Sequence, residues 1–197
     1  MNCLIVVAHP LESSLCQHLA RETTVHMREK GHIVTVKDLY DEAFDPRLSQ
    51  QERSSYYQAE FQSSNLGSNL DRDLSQLKEA EILVMVFPTW WFGFPAILKG
   101  WFDRVWAPGH AYDHSPDLKG IIPRLDQLKE VNVITTLGSP GWVDWLILRR
   151  PVRRILKIAI LGTCAKNCNF KMLSLYSSES LTPAKIDKFI KRIKRAF

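Results

Sequence analysis

The chain has 197 residues, 45% of them apolar and 24% charged, an ordinary globular balance that excludes a disordered, collagen-like or coiled-coil protein. Its length suits one domain over residues 1–197. The net charge of +5 is unevenly placed, because residues 149–197 hold 13 basic and 2 acidic side chains; this raises nucleic acid, a membrane surface or an anionic ligand as partners. Leu4–Ala8 is a short apolar run ending in His9-Pro10, which predicts a fully buried strand. Ser13 and Ser14 then open a helical pattern that runs to Lys30, and Gly31 suits its close. Ile33–Leu39 alternates as a strand does. Residues 41–70 are polar and read as a surface excursion with a short helix. Asp71–Ala80 has helical spacing. Ile82–Phe87 is a second buried strand, stopped by Pro88. Pro95–Trp106 returns to helical spacing, with proline in the tolerated first turn. Residues 107–129 read as a long loop and Val131–Leu137 as a third buried strand. Pro151–Ala165 reads as a basic amphipathic helix and Phe170–Tyr176 as the last strand. A final helix, Ala184–Phe197, puts Ile186, Phe189, Ile190 and Ile193 on one face.

Strands that are apolar on both faces and alternate with helices predict a parallel sheet covered on both sides. Five of them at this spacing favour an α/β, flavodoxin-like doubly wound sheet of order 2-1-3-4-5. Ligands of such sheets sit beyond the carboxyl ends of the strands, at the topological switch point. Three loops are nominated in advance: 8–16, 88–94 and 135–143. The start of the chain has no basic segment before its short apolar run, so no signal peptide is expected. No uncharged apolar stretch approaches the length of a spanning helix. With four cysteines in no dense framework, a soluble, reduced, cytoplasmic protein is expected.

The first nominated loop offers His9 and two hydroxyls at a helix N-terminus, where free N–H groups and the dipole favour a phosphate. Plain N-capping by Ser13 or Ser14 is the competing reading. The second, Phe87-Pro88-Thr89-Trp90-Trp91-Phe92-Gly93-Phe94-Pro95, crowds aromatic rings at a strand tip that should be wet. Such rings need a partner, either a plug or dimer contact or a flat aromatic ligand. The third, Thr135-Thr136-Leu137-Gly138-Ser139-Pro140-Gly141, is a polar wall whose small residues let amides face a ligand. One pocket with a phosphate cradle, an aromatic platform and such a wall suits a flavin nucleotide better than a sugar, a metal or a nucleoside triphosphate.

The run Trp91-Phe92-Gly93-x-Pro95-Ala96-Ile97-Leu98-Lys99-Gly100-Trp101-Phe102-Asp103-Arg104-Val105 closely resembles the signature of the flavodoxin-like NAD(P)H:quinone oxidoreductases, the DT-diaphorase-like family. Ala8-His9-Pro10 with Ser13-Ser14 resembles that family's first flavin loop, and Thr135-Thr136-x-Gly138 its third. The likeness spans about residues 1–140. It implies that His9, Ser13, Ser14, Leu15 and Cys16 line the pyrophosphate and ribityl chain, with Cys16 where an asparagine is common. It implies that the loop Pro88, Thr89, Trp90, Trp91, Phe92 and Gly93 meets the isoalloxazine, and that Thr135, Thr136, Leu137 and Gly138 meet its opposite edge. Tyr112 matches an aromatic that closes the substrate pocket from the partner subunit. His114 replaces a second aromatic there, where it can stack or donate a proton. The family's Tyr/His proton relay is missing, since no Tyr or His lies between 115 and 175. The implied activity is flavin-dependent reduction of quinones or similar flat acceptors. NAD(P)H is the co-substrate, and ping-pong hydride transfer runs through flavin N5. The implied cofactor is FAD, with FMN as the alternative, in a cytoplasmic homodimer. The rival class is a flavodoxin-like electron carrier or regulatory flavoprotein subunit without quinone turnover of its own.

Two features fall outside that frame. Cys164-x3-Cys168 has no partnering Cys or His nearby in sequence to complete a zinc site, and no metal is expected. The basic segment 149–171, with Trp142 and Trp145, reads as a solvated face, a nucleic-acid surface or a contact with an anionic membrane. Of these the solvated face is the leading reading; weak peripheral membrane contact is the first functional alternative, attraction of the 2′-phosphate of NADPH the next, and nucleic acid is not expected.

Overall fold

The computed structural model describes residues 1–55, 68–115, 117 and 119–197. The five predicted strands form one parallel sheet. They are β1 (Asn2–Val7), β2 (Ile33–Asp38), β3 (Ile82–Pro88), β6 (Glu130–Thr136) and β7 (Asn169–Leu175), in the spatial order β2-β1-β3-β6-β7. That is the predicted doubly wound order. All seven residues of β3 are buried, as an apolar run in the middle of a two-layered sandwich of helices requires. The register sets Phe87 beside Thr135 and Pro88 beside Thr136, so the ends of β3 and β6 finish level and open one edge of the sheet together.

Helix α1 (Leu15–Glu29) begins where Ser14 accepts a hydrogen bond from the Gln17 amide at 3.2 Å. It ends before Gly31, which takes the left-handed φ of +82° that only glycine reaches without strain. Cys16, Leu19 and Met27 of α1 pack with Phe189 and Ile193 of the last helix (Pro183–Ala196) on one sheet face. The other face carries α2 (Gln50–Ser55), α3 (Ser68–Glu79), α4 (Ala96–Val105) and the 151–164 segment; Leu74, Leu77, Trp101, Phe102 and Leu156 form its core. The short helix expected within 41–70 is α2; residues 56–67 of that stretch lie outside the described residues.

Two stretches depart from the sequence reading. The expected loop 107–129 contains an antiparallel hairpin of β4 (Tyr112–His114) and β5 (Ile121–Pro123), strands too short to leave an alternation pattern. The expected 151–165 helix is α-helical over Pro151–Arg154 and again over Gly162–Cys164; Ile155–Leu161 between them is π-helical, and a further π-turn covers Val143–Ile147. A residue before proline is kept out of the right-handed helical region, and Arg150 accordingly sits at φ +55°, separating the two.

Two predictions follow from this packing. A Cβ added at Gly100 on α4 would lie 2.2 Å from the Pro46 carbonyl oxygen, so Gly100→Ala should lower the unfolding free energy in urea by about 1–3 kcal/mol; no change would show that Pro46 is not seated on α4. Burial holds His9, His26, His32 and His110 below the ordinary imidazole value of 6.5. The unfolded chain therefore binds protons first, and stability present above that value should fall as pH drops below it. Thermal melts between about pH 7 and about pH 5.5 test this window, which lies above the carboxylate range; a flat Tm would refute it.

Candidate functional site

The carboxyl ends of β1, β3 and β6 surround a cleft of about 410 Å³, within the range of small-molecule sites. His9, Leu15, Cys16, Pro88, Thr89, Trp90, Trp91, Thr136 and Gly138 line it, with Ser178 and Glu179. Three loops far apart in sequence thus meet at the switch point, as the strand order demands.

The floor is built by α1. Leu15 and Cys16 are its first two residues, and its first turn holds no acidic side chain, so the free N–H groups and dipole of the N-terminus stay available to an anion. His9 Nδ1 accepts from the Leu11 amide at 3.1 Å; in the neutral ring the proton is then on Nε2, which is a donor. Desolvation lowers the His9 pKa, which favours that neutral form. Burial pushes the Cys16 thiol up to about 11, and its Sγ shares a hydrogen bond with Thr136 Oγ1 at 3.4 Å. Cys16 is therefore a weakly polar thiol and not a nucleophile.

The wall after β3 is a tight turn. Gly93 N donates to Trp90 O at 2.9 Å, and the two residues form an antiparallel bridge. The central residues Trp91 and Phe92 have φ of +50° and +55°. Such a turn ordinarily takes Asn and Gly. Two bulky side chains there store strain on the order of 1–2 kcal/mol each, a cost found where function sets the geometry. Trp91 is 100% exposed and Trp90 42%. The rings do not fill the interior; they stand at the cleft's rim.

The opposite wall shows strand alternation at work. Thr136 faces the cleft, whereas Thr135 is fully buried and pairs its hydroxyl with Thr89 Oγ1 at 2.7 Å. Leu137 is buried against the end of β7, its amide bonded to Leu175 O. Gly138 returns to the cleft, and a Cβ there would come within 3.0 Å of Glu179 Oε1.

Several expected residues therefore do not line the cleft. Ser14 spends its hydroxyl on the α1 cap, Ser13 precedes that cap, and Phe92 is partly buried. Gly93 closes the turn, Thr135 faces the core because adjacent strand residues point to opposite faces, and Leu137 packs inward. Tyr112 and His114 lie on the β4–β5 hairpin with rings 5.6 Å apart; neither lines the cleft of its own chain. Ser178 and Glu179 were missed. Their 3₁₀ turn follows Ser177 at φ +52° and is tied to the third loop by Ser178 N to Leu137 O and Ser177 N to Ser139 O. The end of a fifth strand in a doubly wound sheet was the signal that pointed to them.

The cleft fits a flat conjugated ring system carrying a phosphate. It offers exposed aromatic faces, a neutral donor in His9, a helix N-terminus and a glycine whose side chain would intrude. Among the described residues no cluster of His, Cys, Asp or Glu could hold a metal ion, and burial pushes the Cys164 thiol up to about 12.

Comparison with known proteins agrees in shape and sequence. A family model described as flavodoxin-like fold matches residues 1–188. NAD(P)H dehydrogenase [quinone] 1 of Cavia porcellus is 34% identical over 151 residues, covering 70% of this chain and 54% of its own length. An uncharacterized NAD(P)H oxidoreductase of Haemophilus influenzae is 36% identical over 144 residues, covering 71% of this chain and 65% of its own. This chain thus spans between about half and two thirds of those relatives. The solved NAD(P)H:quinone oxidoreductase from Methanothermobacter marburgensis superposes with a TM-score of 0.82 at 27% identity, covering 100% of this chain and 94% of that one.

Strain in the rim turn has a measurable consequence. Trp91→Asn buries no less surface and places a residue tolerant of left-handed φ at that position, so it should raise the unfolding free energy by about 1 kcal/mol. A loss of stability in the same urea titration would show that the turn is unstrained.

Proposed function

The chain belongs to the flavodoxin-like fold family, and from that premise and its likeness to proteins named NAD(P)H dehydrogenase [quinone] 1 and NAD(P)H:quinone oxidoreductase we propose that it is a flavin-dependent NAD(P)H oxidoreductase acting on quinones or similar flat acceptors. The observation that carries this reading is Trp91, wholly exposed at the rim of a switch-point cleft and held there in a strained conformation. A flavin held in this cleft would supply the chemistry of hydride transfer between NAD(P)H and the acceptor, and sharing of one cleft by the two substrates would give ping-pong kinetics. FAD is the first expectation and FMN the alternative.

The chain's own residues would hold and orient. Leu15 and Cys16 amides at the N-terminus of α1 would take the phosphate. Trp90 and Trp91 would cover the ring system and exclude water from it. His9 would donate from Nε2. Thr136 and the small Gly138 would let the polar wall approach the opposite edge. Backbone donors aimed at a ring that gains negative charge on reduction would stabilise it, an oxyanion-hole type of contribution. No side chain here needs to act as a nucleophile. Tyr112 and His114 would enter the cleft of a second copy, making the enzyme a homodimer in the cytoplasm.

The reading of an electron carrier without turnover is separated by kinetics. Purified protein, reconstituted with FAD or FMN in turn, should become yellow and should oxidise NADPH in the presence of menadione. Trp91→Asn should weaken flavin retention at least tenfold, a difference of about 1.4 kcal/mol, while remaining folded. Flavin binding without NAD(P)H turnover would favour the carrier; failure to retain either flavin would end the redox reading.

A further inference from the structure

Two features of the cleft suit the two ends of a nucleotide: exposed indole faces for a flat ring and the N-terminus of α1 for a phosphate. In any nucleotide a hydroxylated chain joins the two, and each of its hydroxyls has a proton to donate. Few side chains of the cleft can accept it. Thr89 spends its hydroxyl on Thr135, and Thr136 shares its own with Cys16 Sγ. His9 Nδ1 already accepts from the Leu11 amide. Among the described side chains lining the cleft, the acceptors left are Ser178 and Glu179, and Glu179 is the only carboxylate.

Glu179 reaches the cleft from a firm support. Its 3₁₀ turn, Ser178–Ser180, follows Ser177 in the left-handed region at φ +52°. Ser178 N donates to Leu137 O at 2.9 Å and Ser177 N to Ser139 O at 3.1 Å, while Leu137 N donates back to Leu175 O at 2.9 Å. The turn is thus stitched to the third loop from both sides. Gly138 leaves space for the carboxylate, since a Cβ there would stand 3.0 Å from Glu179 Oε1. Among the described residues no Lys, Arg or His forms a salt bridge with Glu179, and no metal-binding cluster includes it. The side chain is exposed, so its oxygens are open to a ligand.

We infer that Glu179 is the sugar-hydroxyl acceptor of the cleft, a binding residue whose carboxylate takes hydroxyls of the bound nucleotide. The inference rests on the reading of the cleft as a site for flavin and NAD(P)H. An ionised carboxylate accepts and does not donate, which matches a hydroxyl, and a hydrogen bond to a charged acceptor is about twice as strong as one between neutral groups. Acidic side chains read ribose hydroxyls in the same way in other doubly wound folds. A phosphate is the wrong partner for Glu179, because like charges repel. Suitable hydroxyls come from two sources, the ribityl chain of the flavin and the ribose of the nicotinamide nucleotide.

Titration of the flavin-free full chain, followed by flavin fluorescence, isolates the first source. Lumiflavin has the ring of riboflavin with a methyl group in place of the ribityl chain. Glu179→Ala should weaken riboflavin binding about tenfold and leave lumiflavin binding unchanged. Glu179→Gln keeps a carbonyl acceptor without the charge and should lose about threefold. For the second source, Glu179→Ala in the flavin-loaded protein should lower kcat/KM about tenfold for NADH but not for N-benzyldihydronicotinamide, which has no ribose. A selective loss in either pair supports the inference, and the pair that responds identifies the sugar. Equal effects within both pairs would overturn it. So would tighter FMN binding by both variants with riboflavin unchanged, the signature of a charge that only repels. Glu179 is exposed, so circular dichroism and Tm of the variants should match the parent chain. A parent chain that binds no flavin would end the redox reading and this inference together, whereas a flavin-binding parent matched by its variants in every arm would end this inference alone.

Discussion

The turn Trp90–Gly93 is the constraint around which the site is organised. Its two central residues stand in the left-handed region with bulky side chains, a conformation that persists only when its surroundings over-determine it. Those surroundings are β3, buried along its whole length, and its level pairing with β6. Thr89 adds two ties to β6, its amide to Thr136 O at 2.8 Å and its hydroxyl to Thr135. A rigid strand end thus carries a strained turn, and the strained turn holds an indole ring in water.

Charge is partitioned around this frame. The cleft itself is lined by uncharged groups over most of its surface, with His9 favoured in its neutral form and Cys16 held as a thiol by burial. Glu179 is the exception, reaching toward Gly138. Beyond the cleft, the chain turns basic and apolar together. The Asp144–Tyr176–Trp145 contacts separate the two regions: they anchor one end of the third loop at the cleft and turn its other end outward. Elsewhere in the carboxyl-terminal third, Lys194 pairs with Glu22 across α1 and the last helix at 2.9 Å.

Strand positions, helix faces and the strand order were readable from the sequence, because burial on both faces of a parallel sheet leaves continuous apolar runs that no other architecture needs. The three loops at the switch point followed from that order; the choice of His9, Leu15, Cys16, Trp91, Thr136 and Gly138 within them came from the family resemblance, and these six line the cleft. The π-helical stretches and the β4–β5 hairpin were not readable. Three-residue strands leave no alternation, and a π-turn differs from an α-turn by a hydrogen-bond shift that composition does not record.

What the chain's residues determined by themselves is therefore the sheet, its order and the aromatic character of its open edge, since periodicity and apolar runs are local properties. What only the tertiary structure decided is which member of each pair serves the cleft. Thr136 faces it while Thr135 faces the core; Trp91 is exposed while Phe92 is partly buried; and Glu179 arrives from a strand end 41 positions beyond Gly138. Those choices depend on pleat, turn handedness and the meeting of distant strand ends, and these come into being only when the sheet closes around its core.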